Sequence, residues 1–126
     1  MIGYVTLGTK DMAKAGAFYD ALLALVGATR MMNTERFVAW SAEPTGVALS
    51  IAVPFDEKPA TVGNGVMVAL AAISQEQVDE IYAKAIELGA QDEGKPGPRG
   101  DGFYAGYFRD LDGHKFVAYL LTGVPS

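Results

Sequence analysis

One short stretch gathers several kinds of side chain able to do proton or metal chemistry. "YFRDLDGHK" (107–115) carries Tyr107, Arg109, Asp110, Asp112 and His114, the last being the only histidine of the chain. A histidine titrates near neutral pH and is a common metal ligand, so it could act as a base or hold a divalent ion beside the two carboxylates. The spacing argues for something plainer. Asp-x-Asp-Gly is turn chemistry, in which carboxylates accept hydrogen bonds from nearby backbone amides. The expectation is therefore a hairpin turn, with His114 following Gly113 next to solvent. An EF-hand loop is excluded because its third acidic position and terminal glutamate are missing. Arg109 could reach a ligand carboxylate, but a salt bridge to Asp110 or Asp112 is the expected use.

Other chemistry is bounded by composition. No cysteine is present, which removes disulfides, thiolate metal sites and cysteine nucleophiles. Ser50 has no histidine base in reach of a triad, since the single histidine sits in a turn. The net charge is −5 and the pI about 4.7. A nucleic-acid partner is not expected, because phosphate binding needs a basic stripe. No apolar run is long enough for a bilayer span and no basic-then-apolar leader is evident, so a cytoplasmic protein without a membrane partner is expected. "RGD" (99–101) and "GNG" (63–65) are chance matches. The first is too short to signify, and the second is followed by a strand where a nucleotide loop would need a helix.

The elements that must position these residues occur in one order, twice. "IGYVTLG" (2–8) reads as a strand, and Asp11 caps a helix whose stripe is Ala15, Phe18, Leu22, Leu25 and Val26, ended by Gly27. Strands follow at about 29–34, 36–42 and 46–53, with "EPTG" (43–46) as a turn. "PFDEKPATVGNG" (54–65) reads as a linker. The order then restarts. "VMVALAAI" (66–73) is a strand, and "SQEQ" (74–77) a capping box opening a helix with Val78, Ile81, Ala85 and Leu88. Gly89 stops that helix. "GKPGPRGDG" (94–102) is a loop or ragged edge, and 103–110 and 115–121 are the last strands. Superposing the halves puts Tyr4 on Met67, Asp11 on Ser74, Gly46 on Gly113 and Trp40 on Tyr107. A repeated strand–helix–three-strand unit is a specific pattern. It predicts a single α+β domain of 1–126: module one about 1–56, a linker about 57–63 and module two about 64–123.

"YVTLGTKDMAKAGAFYDALLALVGA" and "GFYAGYFRDLDGHKFVAYLL" resemble the vicinal oxygen chelate superfamily, which includes glyoxalases, extradiol dioxygenases and bleomycin resistance proteins. The resemblance covers essentially the whole chain. It implies two βαβββ modules forming a curved mixed-sheet cup, and commonly a homodimer. It also implies one divalent metal, held by His, Glu or Gln at four equivalent positions. Carried onto this sequence, those positions are Tyr4, Ser50, Met67 and Val117. None is His, Asp or Glu, and their chain neighbours Gly3, Val5, Leu49, Ile51, Val66, Val68, Phe116 and Ala118 offer no ligand either. No metal and no cofactor are therefore expected. The expected ligand-binding set is Tyr4, Thr6, Trp40, Ser50, Met67, Tyr107, Val117 and Tyr119. Its function would be binding a small aromatic or amphipathic molecule, as the metal-free bleomycin resistance proteins of the superfamily do. The alternative is a glyoxalase- or dioxygenase-type enzyme with non-standard ligands or metal-free acid/base chemistry.

Overall fold

The computed structural model describes residues 1–43, 46–100 and 102–122. Two compact units emerge, Met1–Gly63 and Asn64–Ser126. In the first, β1 (Tyr4–Gly8), α1 (Met12–Ala24), β2 (Thr29–Asn33), β3 (Phe37–Ser41) and β4 (Ala48–Ala52) form a sheet of order β1-β4-β3-β2. The second holds β5 (Met67–Ala71), α2 (Gln75–Glu87), β6 (Gln91–Pro98), β7 (Phe103–Arg109) and β8 (Lys115–Leu121) in the order β5-β8-β7-β6. The first strand of each unit pairs parallel with the last, and all other pairings are antiparallel. The α+β class and the repeated βαβββ order are those expected.

The helix boundaries follow their signals. Asp11 accepts the amide of Lys14 at 3.0 Å, and Ser74 that of Gln77 at 3.1 Å. The Gln77 side chain reaches back one residue further than in the usual capping box, to the amide of Ile73 at 2.8 Å. Gly27 and Gly89 stand at φ +77° and +106°, the left-handed geometry that closes helices, and Ala28 and Ala90 donate back to Leu23 and Ala85. The buried face of α1 departs from the expected stripe. Tyr19 and Leu23 are buried with Ala15, Phe18 and Leu22, while Leu25 and Val26 are only partly covered. The stripe follows the helix only to Ala24; beyond it the backbone is already turning.

Each helix packs on one face of its own sheet. In unit one that face carries Val5, Leu7, Val38, Trp40, Leu49 and Ile51, as alternation and pairing require. Trp40 settles the assignment: it is 1% exposed, its ring lies 5.5 Å from Tyr19 of α1, and its indole N–H donates to Asp20 at 2.8 Å. In unit two Phe108 and Phe116 stack at 5.5 Å, wholly buried, and Tyr104 on the same face donates to Asp79 of α2 at 2.7 Å. Tyr82 of α2 bonds Asp92 of β6 in the same way, also at 2.7 Å. Burial and that bond push the Tyr82 phenol up to about 12.

Residues 94–98, expected as a loop or ragged edge, form the ragged edge: they belong to β6. β6 pairs with β7 along the sheet edge with register shifts between Asp92 and Gly94 and again between Gly94 and Gly97. Prolines and bulges are tolerated at an edge because one side of the strand has no ladder to complete. The stretch expected as a linker is in part attached to unit one. Ala60 is buried there against Gly8, and Arg36 donates to the carbonyl of Pro54. Pro44 and Thr45 of the "EPTG" turn, Asp101 of "RGD" and Gly123 at the expected end of module two lie outside the described residues.

Asp20 ties α1 to β2 and β3. It accepts two bonds from Arg30, each at 2.8 Å, besides the one from Trp40. The Arg30 hydrogen bonds hold its carboxyl below the usual value of 3.8, against an opposing effect of burial. A carboxylate with a depressed folded value stabilises fully above the unfolded value and loses that contribution as pH falls through the folded one. Both side chains are partly exposed, so the net effect is modest. Asp20→Ala should cost roughly 1–2 kcal/mol in urea unfolding at pH 7, followed by Trp40 fluorescence, with the deficit shrinking below pH 4.

Candidate functional site

The sheet faces turned away from the helices carry most of the expected site residues. In unit one, Tyr4 pairs with Ala48, Thr6 with Ser50 and Ala39 with Ser50, so Tyr4, Thr6, Ala39, Ala48 and Ser50 share a face. In unit two, Met67 pairs with Lys115, Ala69 and Tyr107 both with Val117, and Ala71 and Ala105 both with Tyr119. That face holds Met67, Tyr107, Lys115, Val117 and Tyr119. Trp40 does not join the set, since it lies under α1. The structural counterpart of Tyr107 is Ala39, and that of Trp40 is Phe108. The connection from Trp40 to its partner Leu49 is one residue longer than that from Phe108 to Phe116. Aligning on the turn glycines therefore slips β3 against β7 by one residue, which exchanges the faces.

The four positions that the resemblance assigns to metal ligands do not offer a metal site. Ser50 is wholly buried; its hydroxyl donates to the carbonyl of Val5 at 2.9 Å and lies 2.8 Å from the Thr6 hydroxyl. Val117 is 1% exposed and carries no donor atom. Tyr4 and Met67 are exposed and offer a phenol and a thioether. A hydroxyl already engaged, an isopropyl group, a phenol and a thioether do not make a site for a divalent ion that prefers carboxylate and imidazole. Among the described residues, no three His, Asp or Glu side chains come together in a way that could hold a metal.

His114 is in the turn, but not beside solvent: it is 9% exposed. Asp110 organises the turn. Its carboxylate accepts the amides of Asp112 at 3.0 Å and His114 at 2.8 Å, and its own amide donates to the His114 carbonyl at 2.9 Å. Asp110 Oδ1 thus serves the turn backbone, and Arg109 turns elsewhere. It donates to Glu93 at 2.8 Å and to the Gly113 carbonyl, not to Asp110 or Asp112. The partner was not legible from sequence because Glu93 arrives through the irregular edge strand.

A hollow of about 420 Å³ opens on the face of unit one turned away from α1, lined by Gly3, Tyr4, Met31, Met32, Phe37 and Ala39, with Gly46 and Ala48 at its side. Small residues make it. Ala39 and Ala48 stand where unit two has Tyr107 and Lys115. A bulge in β2 furnishes its second wall. Arg30 pairs with Trp40 and Met32 already pairs with Ala39, so Met31 is the inserted residue and both methionines line the hollow. Tyr4 meets Phe37 edge-on at 6.2 Å. Met31, Met32 and Phe37 escaped the sequence reading, whose strand alternation could not foresee the bulge. Thr6 lines a neighbouring hollow of about 480 Å³ with Arg36, Phe37 and Phe55.

These features coincide with the outcome of comparison. Residues 1–118 match the model of the Glyoxalase/Bleomycin resistance protein/Dioxygenase superfamily. The chain belongs to that superfamily. A glyoxalase/bleomycin resistance protein from Albidiferax ferrireducens is 35% identical in sequence, with a TM-score of 0.87 over 95% of this chain and 98% of its own. A hypothetical protein from S. aureus is 26% identical, with a TM-score of 0.73 over 95% and 92%. A glyoxalase-related enzyme from Fulvimarina pelagi, 18% identical, shares the fold with a TM-score of 0.77 over 95% and 87%. No curated protein matches the sequence. Among the described residues, no helix is long and apolar enough to cross a membrane.

Restoring a family-type carboxylate at Val117 should be costly. Val117→Glu places a carboxyl where 1% of the surface is exposed, and burial raises the folded value above the unfolded one of about 4.3. Stability is then greatest at low pH and lost as pH rises. Urea unfolding should show a penalty of at least about 2 kcal/mol at pH 7 and a smaller one at pH 4.

Proposed function

We propose that this protein binds a small aromatic or amphipathic molecule without a metal, in the hollow of unit one. The hollow carries the reading. It has the volume of a small-molecule site and mostly apolar walls, with one phenol at its edge. Two methionines and two aromatic rings suit a flat, polarisable ligand, because thioethers adapt in shape and pack well against rings. Tyr4 is 63% exposed, and no described residue takes its hydroxyl in a hydrogen bond, so the phenol is available to a ligand oxygen or nitrogen. The four positions discussed above supply no metal-binding carboxylate or imidazole, which favours binding over the metal-assisted chemistry of the superfamily's enzymes.

The test is a screen of neutral aromatic compounds, with 2-naphthol as the first probe, by thermal shift and by the methyl resonances of Met31 and Met32. A probe at 100 times its dissociation constant should add about 2.7 kcal/mol of stability. Ala39→Leu, which fills the hollow, should abolish binding, and Tyr4→Ala should weaken it about tenfold. Full binding by both variants would place the ligand elsewhere.

A homodimer in the cytoplasm completes the proposal. Tyr4, Met31 and Met32 are exposed apolar side chains gathered on one face of unit one, a patch of the kind that marks interaction sites. Sedimentation at micromolar concentration should give twice the chain mass of 13.3 kDa; a species of single mass would refute the dimer.

A further inference from the structure

We propose that the face of unit two turned away from α2 is a recognition surface for an anionic group carried on a flat ring, such as an aromatic carboxylate. The chain as a whole has a net charge of −5, yet this face collects cations. Arg99 and Lys115 both lie over the Tyr107 ring, with the guanidinium carbon at 5.7 Å and the ammonium at 5.5 Å from its centre. Arg109 joins them from the end of β7, opposite Lys115 in the ladder. Among the described residues the only carboxylate paired with these three is Glu93, at 2.8 Å from Arg109 and 3.9 Å from Lys115. Among the described residues positive charge is thus left in excess. Arg99 donates to the carbonyls of Lys95 and Pro98, and no described carboxylate pairs with it.

The arrangement depends on the edge strand. A side chain at Gly94 would meet the Tyr107 ring at 3.3 Å and the Arg99 guanidinium at 3.4 Å, and Gly94 stands at φ +153°. Its lack of a side chain leaves the room in which Tyr107 and Arg99 approach each other. The bulges around it also deliver Glu93 to the same cluster.

Along the strands the surface grades from charged to apolar. Beyond Tyr107 on β7 come Ala105 and then Phe103; beyond Val117 on β8 come Tyr119 and Leu121. Phe103 and Tyr119 stack at 5.7 Å with their planes 23° apart. A ligand with an anionic head and a ring body matches this gradient: the head beside Lys115 and Arg99, the ring against Tyr119 and Phe103. Glu93 offsets part of the cationic charge, and the excess that remains favours an anionic head. Unit one has nothing similar, having alanines at the positions of Tyr107 and Lys115, so this inference stands apart from the neutral ligand proposed for its hollow.

The experiment compares 1-naphthoate with its neutral isostere 1-naphthamide, by calorimetry and amide chemical-shift mapping on the full chain. Naphthoate should bind at least tenfold more tightly than the amide, with shifts at Tyr107, Val117 and Tyr119 and weaker binding as salt is raised. The double variant R99Q/K115Q should remove the preference for the acid while keeping the wild-type melting profile, and Glu93→Gln should tighten naphthoate binding severalfold. Equal affinity for acid and amide, an unchanged preference in R99Q/K115Q, no binding of either compound, or shifts confined to Met31 and Met32 would each overturn the proposal. The last outcome would still leave the hollow of unit one as a ligand site.

Discussion

The register of one parallel strand pair in each unit decides what the molecule can present. β1 lies against β4 with Tyr4 opposite Ala48, and β5 lies against β8 with Met67 opposite Lys115. Side chains alternate between faces, so this register sorts every residue of the four strands at once. Val5, Leu7, Leu49 and Ile51 go under α1, and Val68, Leu70, Phe116 and Ala118 go under α2. Tyr4, Thr6 and Ser50, and likewise Met67, Val117 and Tyr119, are left for the other face. A shift of one residue would bury Tyr4 against a helix and turn Leu7 outward, at a cost of about 1.5–3 kcal/mol for each large apolar side chain displaced. The core therefore fixes the candidate site indirectly.

Much of this was legible in the sequence because the signals are local. Asp11, Ser74, Gly27 and Gly89 mark helix ends through bonds to atoms within a few residues, and strand alternation in 4–8 and 115–121 needs no distant partner. Several illegible features depend on insertions. One extra residue between β3 and β4 makes Trp40 align with Tyr107, although its structural counterpart is Phe108 and both lie under a helix. A bulge at Met31 turns Met32 toward the hollow, and the shifts around Gly94 bring Glu93 to Arg109. Each is a single-residue event that pattern matching averages away, and each changes a face. The Asp110 turn shows the complement. Its chemistry was readable, but the burial of His114 was not, because burial depends on what packs over the turn.

The two units also show how one scaffold carries different surfaces. At matched positions unit one has Ala39, Ala48 and Ala52 where unit two has Tyr107, Lys115 and Tyr119. Small side chains leave a hollow that Tyr4, Phe37 and two methionines wall. Large ones fill the corresponding space and bring charge with them. Since the helix-facing residues are apolar in both units, the difference costs the core nothing. It is confined to the face whose composition the fold leaves open.

The residues at the family's metal positions fit the same logic. A ligand residue must keep a lone pair unengaged and pointed at the ion, at the expense of desolvating it. Ser50 does the reverse, giving its proton to Val5 and meeting Thr6, so a buried hydroxyl is satisfied without any ion. Val117 needs no partner at all and packs at 1% exposure. In both places the backbone of the superfamily is kept while the side chain has become part of the packing. Tyr4 and Met67, at the corresponding places on β1 and β5, remain exposed. The outer side chains and their neighbours are thus the ones left open to contact, and the inner pair serves to hold the sheets.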